Sequence, residues 1–260
     1  GLYNKAITLE CFLSIDIDIV IASIPQHIEP FKRLCELHPN KPKLIYQVGN
    51  AWEYSGDVKN VMASAKITVP QDVNFIEYHQ EFDTNWFRPS GLHVENFIAS
   101  FVNCFSLDGM FREDWQLFQD VEQLMSDWRF KSFGGQCRDG ACHGTIELSA
   151  MMQNSQFIWH TKRGGDGYGH ILFNSAAVGR PLITKKNYYT GKLGEKLLID
   201  EETCINIDNL SSGQIVDKIN WFSEAETYKQ MCSNVYKNFV KHVDFDQEET
   251  KLRVFLSNLQ

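Results

Sequence analysis

The sequence has no excess of positive charge: 25 Lys and Arg stand against 33 Asp and Glu, a formal net charge of −8. Holding a nucleic acid by bulk electrostatics needs a basic face, so that class is disfavoured and only a local basic pocket stays open. No apolar run approaches the ~20 residues of a membrane span, and the opening residues, GLYNKAITLE, show no signal-peptide pattern. Seven cysteines, an odd number scattered from Cys11 to Cys232, imply no disulfide framework. Internal repeats and low-complexity segments are also lacking. These absences lead to the expectation of a soluble, cytoplasmic protein in a reducing compartment. What is present suits a globular chain: 43% hydrophobic residues, with 18 Phe, 9 Tyr and 6 Trp to fill cores. The 260 residues suffice for one large domain or two ordinary ones, and two are expected.

Short β-rich runs recur with polar or glycine punctuation. DIDIVIASIP, PKLIYQVGN, AKITVP and NFIEY read as four strands of a first series, with IEPFKRLCELH as a helix between the first two. FRPSGLHVENF reads as a linker. A second series follows: the strand IASFVNCF, the helix DWQLFQDVEQLMSDW, the strand RFKSFGG, the helix TIELSAMMQNS and the strand QFIWH. Next come a glycine-rich loop, the helix HILFNSAAVG, the strands RPLIT and LLIDEETCINID, and amphipathic helices to the end. Strands alternating with helices predict parallel α/β packing. Two Rossmann-like domains facing a cleft are expected, at residues 1–93 and 94–260, with the last helix crossing back. Only about four strands precede the linker where a doubly wound half typically has about six, so the first strands are expected upstream of residue 1.

The loop in HTKRGGDGYGHILFN, residues 160–174, is the most informative stretch. A strand, a glycine-rich turn and a helix N-terminus together present free backbone N–H groups and the positive end of a helix dipole, a seat for phosphate. Lys162, Arg163, Gly164, Gly165, Gly167, Tyr168, Gly169 and His170 are therefore candidates to cradle a phosphate-bearing ligand. His27 and Asn50 each follow a strand, so both are expected to face the cleft as candidate catalytic residues. A lone His is more often a satisfied structural residue.

Two segments resemble a known family. IEYHQEFDTNWFRP is similar to the end of the amino-terminal domain of retaining, glycogen-synthase-like GT-B glycosyltransferases (glycosyltransferase group 1), with Asp83, Phe87 and Pro89 in register. MMQNSQFIWHTKRGGDGYGHILFNSAAVGRPLI resembles that group's nucleotide-sugar signature, with Asp166 and Asn174 at the spacing of its two acidic positions and Gly179 and Pro181 after them. The resemblance implies a hexosyltransferase that takes a nucleoside-diphosphate sugar, UDP- or GDP-linked, needs no metal or other cofactor, and acts on a carbohydrate or lipid-linked acceptor. It assigns Asp166 to the donor sugar as a catalytic residue, Gly165 and Gly167 to the diphosphate, and Asn174 to the ribose. Asn174 stands where the family has a carboxylate; an amide still bonds a ribose but adds no charge. The family's Arg and Lys after the first strand of the second domain are missing from FVNCFSLDGMF, which leaves Lys162 and Arg163, then Lys131 and Arg138, as substitutes.

Plainer readings compete. Asp166 could cap the helix, Asn174 could bond a neighbouring strand, and Glu81 and His79 suit a hinge better than an acceptor site. DID at 16–18 precedes a strand and is not read as an Asp-x-Asp metal site. CRDGACH at 137–143 lacks a second pair for zinc and reads as a surface loop. A dinucleotide-dependent oxidoreductase predicts G-x-G-x-x-G and an acidic residue after the next strand, whereas this chain has GGDGYG and TKKNYY. A noncatalytic GT-B remnant that binds nucleotide or a partner is the remaining alternative.

Overall fold

The computed structural model describes residues 7–49, 54, 58–80, 82–91, 95–107 and 109–260. The chain divides into two compact units, residues 1–80 with 245–260, and residues 81–244.

The first unit holds α1 (Leu9–Ser14), β1 (Ile19–Ala22), α2 (Ile28–Leu37), β2 (Lys43–Val48), β3 (Asn60–Ala63) and β4 (Asn74–Glu77). Its sheet is parallel in the order β1-β2-β3-β4. Side chains at alternate strand positions make the core: Tyr46, Val48, Val61 and Ala63 are buried with Ile28 from α2. The strand expected in AKITVP forms earlier, at Asn60–Ala63. Ile67 and Val69 still pack on the same core from an irregular segment, and Pro70, which cannot donate to a ladder, opens a turn through its carbonyl to Val73 N at 3.2 Å.

The second unit runs β5 (Phe97–Ser100), α3 (Arg112–Leu124), β6 (Arg129–Ser132), α4 (Gly144–Asn154), β7 (Phe157–Trp159), α5 (His170–Ala177), β8 (Leu182–Thr184), β9 (Cys204–Asn206), α6 (Ser212–Ser223) and α7 (Ala225–His242). The five strands are parallel in the order β6-β5-β7-β8-β9. Every residue of β5, β7 and β8 is buried, the mark of a sheet covered on both faces. Helix α3 sends Phe118 into the centre, where its ring meets Phe105, Phe130 and Trp159. Ser211 and Gln214 form a capping box that starts α6.

The last helix, α8 (Phe245–Ser257), belongs to the first unit, where Phe255 packs with Ile45 and Ile76. His79 is tied to it twice: its backbone N–H donates to Glu248 Oε2 at 2.8 Å, and its ring pairs with the same carboxylate. The units part at Gln80/Glu81, ahead of the boundary expected after residue 93. Between the two, the stretch from Trp86 to Gly91 is anchored within the second unit. Gln153 donates to the carbonyls of Trp86 and Arg88 at 2.8 and 3.0 Å, and the buried Arg180 donates to Ser90 Oγ and Gly91 O at 2.9 and 3.1 Å.

Candidate functional site

In chain order the second sheet runs 2-1-3-4-5, so crossovers leave in opposite directions from β5 and β7. A crevice outside the strand carboxyl ends is where such sheets bind ligands. A cleft of about 500 Å³ lies there. Phe101 and Asn103 line it from the exit of β5, Phe133 to Gly135 from that of β6, and Phe82, Asp83 and Phe87 from the anchored segment. The first turns of α4 and α5 complete the wall through Gly144, Thr145, His170 and Ile171. Both helices therefore turn unpaired N–H groups and positive dipole ends toward the same space. The two strand exits are locked together. Asn103 Oδ1 accepts from Gly135 N at 2.8 Å, and a Cβ on Gly134 would sit 2.8 Å from that oxygen at φ +145°.

Asn174 lies one turn into α5 and lines the cleft. It is 6% exposed, and its Oδ1 meets no donor among the described residues. A buried acceptor without a donor costs about 1–3 kcal/mol, which makes this oxygen an open position for a ligand hydroxyl or N–H.

The glycine loop fills the path from β7 to α5. Gly169 takes φ +86° at the N-cap of α5, a left-handed conformation that favours glycine. Gly165, at φ +63°, rests against a 3₁₀ turn at Lys186–Tyr189: a Cβ there would lie 2.3 Å from the Tyr188 carbonyl oxygen. Its N–H closes the loop onto Lys162 O at 2.8 Å. Behind the loop stands His160, 1% exposed, with Nε2 3.2 Å from Asp166 Oδ2. Lys162 pairs with the other oxygen of that carboxylate. Burial pushes the Asp166 carboxyl up, but the hydrogen bond and charge of His160, followed by those of Lys162, outweigh it and hold the group well below the usual carboxylate range. Asp166 is thus an anion fixed in one orientation.

Arg163 pairs with Glu113 at the surface. Tyr168 is buried and stacks on Phe173 with ring centres 4.3 Å apart, so it supports the loop from within. His170 reaches the cleft, its ring edge-on to Tyr168 at 5.0 Å. Although the residue is exposed, the protein mass around its ring lowers the imidazole pKa, with Asp166 pulling the other way.

Of the residues expected at a donor site, His170 and Asn174 line the cleft; Lys162, Arg163 and Asp166 stand in the adjoining loop. Lys131 and Arg138 are engaged elsewhere, with Asp139 and Glu122. His27 is exposed at the start of α2 in the first unit, its ring 5.3 Å from that of Phe31. Asn50 and Glu81 lie outside the described residues. Two features were not anticipated. His160 is the first, although a His closing a buried strand just before a glycine loop was a visible signal. The second is that CRDGACH, expected as a surface loop, contributes Ala141 and Cys142 to the cleft.

Among the described residues no three His, Cys, Asp or Glu side chains gather as a metal site requires, and no helix is long and apolar enough to cross a membrane.

No family model and no curated protein matches the sequence. Solved structures do match its fold. A glycosyltransferase from Rickettsia africae superposes with a TM-score of 0.68 at 11% identity, over 93% of this chain and 77% of that one. Anabaena HepE, in complex with UDP-glucose, gives 0.67 at 12%, over 93% and 79%. The pneumococcal O-GlcNAc transferase GtfA, in complex with UDP and GlcNAc, gives 0.66 at 12%, over 96% and 59%. The chain has the fold of GT-B glycosyltransferases: two parallel α/β sheets, of four and five strands, with helices.

Proposed function

We propose that this protein is a GT-B glycosyltransferase that transfers a hexose from a nucleoside-diphosphate sugar, with UDP the first nucleotide to test, to a hydroxyl of a glycan or similar acceptor, with retention. The observation that carries the reading is Asn174: a buried, donor-less oxygen in a cleft at the sheet's switch point, at the position where the family resemblance requires a ribose ligand. In this reading the aromatic shell of Phe101 and Phe133 receives the base and Asn174 the ribose. The first turns of α4 and α5, with His170, face the diphosphate. The sugar then lies toward Asp166, which His160 and Lys162 keep ionised. Leaving-group charge is stabilised by helix dipoles, loop amides and cations, and the anomeric centre becomes oxocarbenium-like as the acceptor attacks. Arg163 adds its charge by leaving Glu113. That pair is 48% and 74% exposed, and exposed pairs contribute only about 0–1 kcal/mol. Neighbours with UDP-glucose or with UDP and GlcNAc bound make uridine donors the first candidates.

A second reading, a binding protein without transfer activity, is favoured by one observation: both loop cations are already held by carboxylates, Lys162 by Asp166 and Arg163 by Glu113. Calorimetric titration with UDP, GDP, UDP-glucose and UDP-GlcNAc, repeated on Asn174→Ala and Asp166→Ala, tests both readings. One sugar nucleotide that binds, weakens in both variants and is hydrolysed or transferred supports the enzyme. Binding without turnover supports the second reading. No binding by folded protein rejects the enzyme and leaves the second reading only as a protein that binds a partner other than these nucleotides.

A further inference from the structure

Asp114, on the first turn of α3, is a carboxylate with 0% exposure. A helix gains from an acid near its N-terminus, but Glu113 and an exposed residue at 114 would supply that. Full burial needs another reason, because desolvating a carboxylate costs several kcal/mol, and a buried ion pair adds little stability over an apolar replacement. Its partners give the reason. Lys185 Nζ donates to Asp114 Oδ1 at 2.7 Å, and the Tyr188 hydroxyl lies 3.1 and 3.2 Å from the two carboxylate oxygens. Lys185 caps the 3₁₀ turn at Lys186–Tyr189 and Tyr188 lies within it, with Tyr188 N bonded to Lys185 O at 3.1 Å. On its far side the turn is held by Asn206 Oδ1, which accepts from Lys186 N at 3.1 Å, and Asp208 Oδ2, which accepts from Asn187 N at 3.0 Å.

The turn in turn determines where the glycine loop can lie. The Tyr188 carbonyl is the atom that forbids a Cβ at Gly165, and the Lys192 stem closes the same space at 2.9 Å. Arg163 pairs with Glu113, the residue before Asp114. Two adjacent acids of α3 therefore reach the loop, one directly through Arg163 and one through the turn beneath Gly165.

We infer that Asp114 is a positioning residue for the donor loop: through Lys185 and Tyr188 it fixes the turn on which Gly165 rests, and so sets where Lys162, Arg163 and Asp166 stand. That these residues face a nucleotide sugar rests on the function proposed above; the brace itself does not. The test uses Asp114→Asn, which keeps the shape and removes the charge, and Tyr188→Phe, which removes one hydroxyl and leaves the buried ion pair intact. Limited trypsinolysis reads the loop without any nucleotide, because Lys162 and Arg163 are its cleavage sites and the exposed Arg253 of α8 serves as internal reference. Cleavage at Lys162 and Arg163 relative to Arg253 should rise about tenfold in both variants, and UDP affinity should fall by a similar factor while circular dichroism stays that of the parent. Unchanged relative cleavage in both variants, whatever their melting temperatures, would make Asp114 an ordinary core ion pair and overturn the inference. A parent protein that binds neither UDP nor GDP would sink the proposed function and leave the cleavage result to stand alone.

Discussion

Replacing Asn174 by Leu should make the protein more stable and its nucleotide binding weaker. The side chain is 6% exposed, and its Oδ1 has no donor among the described residues. Leu has nearly the same shape and no acceptor to desolvate, so the second unit should gain about 1–3 kcal/mol. Helix propensity favours Leu over Asn as well, by at most about 0.7 kcal/mol, and so cannot by itself produce the upper part of that range. For a unit of roughly 160 residues each kcal/mol moves the melting temperature by about 2–4 °C, which gives an expected rise of about 2–12 °C. The same change removes one hydrogen bond to a ribose hydroxyl. At about 0.5–1.5 kcal/mol that is roughly a 2- to 13-fold weaker Kd for UDP. Differential scanning calorimetry with and without UDP reads both effects, because the stabilisation by ligand shrinks as the affinity falls. A melting temperature that drops in Asn174→Leu would mean the oxygen is satisfied in the apo protein and the residue is structural. A rise in stability with unchanged UDP affinity would mean the cleft does not use this oxygen, and the ribose assignment would fail.

Gly165→Ala forces a Cβ to 2.3 Å from the Tyr188 carbonyl oxygen at φ +63°; the left-handed backbone alone costs about 1–2 kcal/mol, and the loop must shift as well, so UDP affinity should fall at least tenfold by titration. Asp166→Asn should lower stability by roughly 1–3 kcal/mol at pH 7 by removing charge-assisted bonds from His160 and Lys162. Because the carboxyl is held below its ordinary value, its contribution is present above the unfolded-state pKa of roughly 3.9 and drains away as the pH falls through the folded value; the variant's acid limb of stability, followed by circular dichroism below pH 4, should be flatter than the parent's. Cys142 lines the cleft, and burial, followed by the charge of Glu147, pushes its thiol up to about 11. At pH 8 it should react with iodoacetamide roughly a hundredfold more slowly than a free cysteine of pKa about 8.5, and UDP should slow it further; equal rates with and without UDP, read by mass spectrometry, would place the nucleotide elsewhere.

What the sequence disclosed and what it withheld divide along one physical line. Hydrophobic period and glycine punctuation are local, so the alternation of strands and helices from Phe97 to His242 was legible, as was the turn that starts α5 at Gly169. The spacing of Asp166 and Asn174 is local too, since both lie within one loop and one helix. Even the misplaced strand was a local ambiguity: VMASAKITVP is β-prone throughout, and only pairing with β2 and β4 decides that Asn60–Ala63 forms the ladder while Ile67 and Val69 pack outside it. The groups that give Asp166 its charge and the loop its position are not local. His160 bears on Asp166 because the loop folds back over the end of β7, and Asp114 meets Lys185 and Tyr188 across more than 70 residues of chain. Nothing in REDWQLF marks its Asp as buried; an acid on the first turn of an amphipathic helix reads as solvated. The cations show the same limit from the other side, because Lys162 and Arg163 were legible as charges but not as charges already engaged. Their engagement has an energetic consequence. A diphosphate must compete with Asp166 for Lys162 and with Glu113 for Arg163, and the partly buried first pair resists exchange more than the exposed second one. Glu113→Gln should therefore tighten UDP binding by a few fold as it releases Arg163, and the gain should disappear in 0.5 M salt, where the parent's exposed pair is screened already; a weaker or salt-independent response in that titration would show that Arg163 takes no part in holding the phosphates.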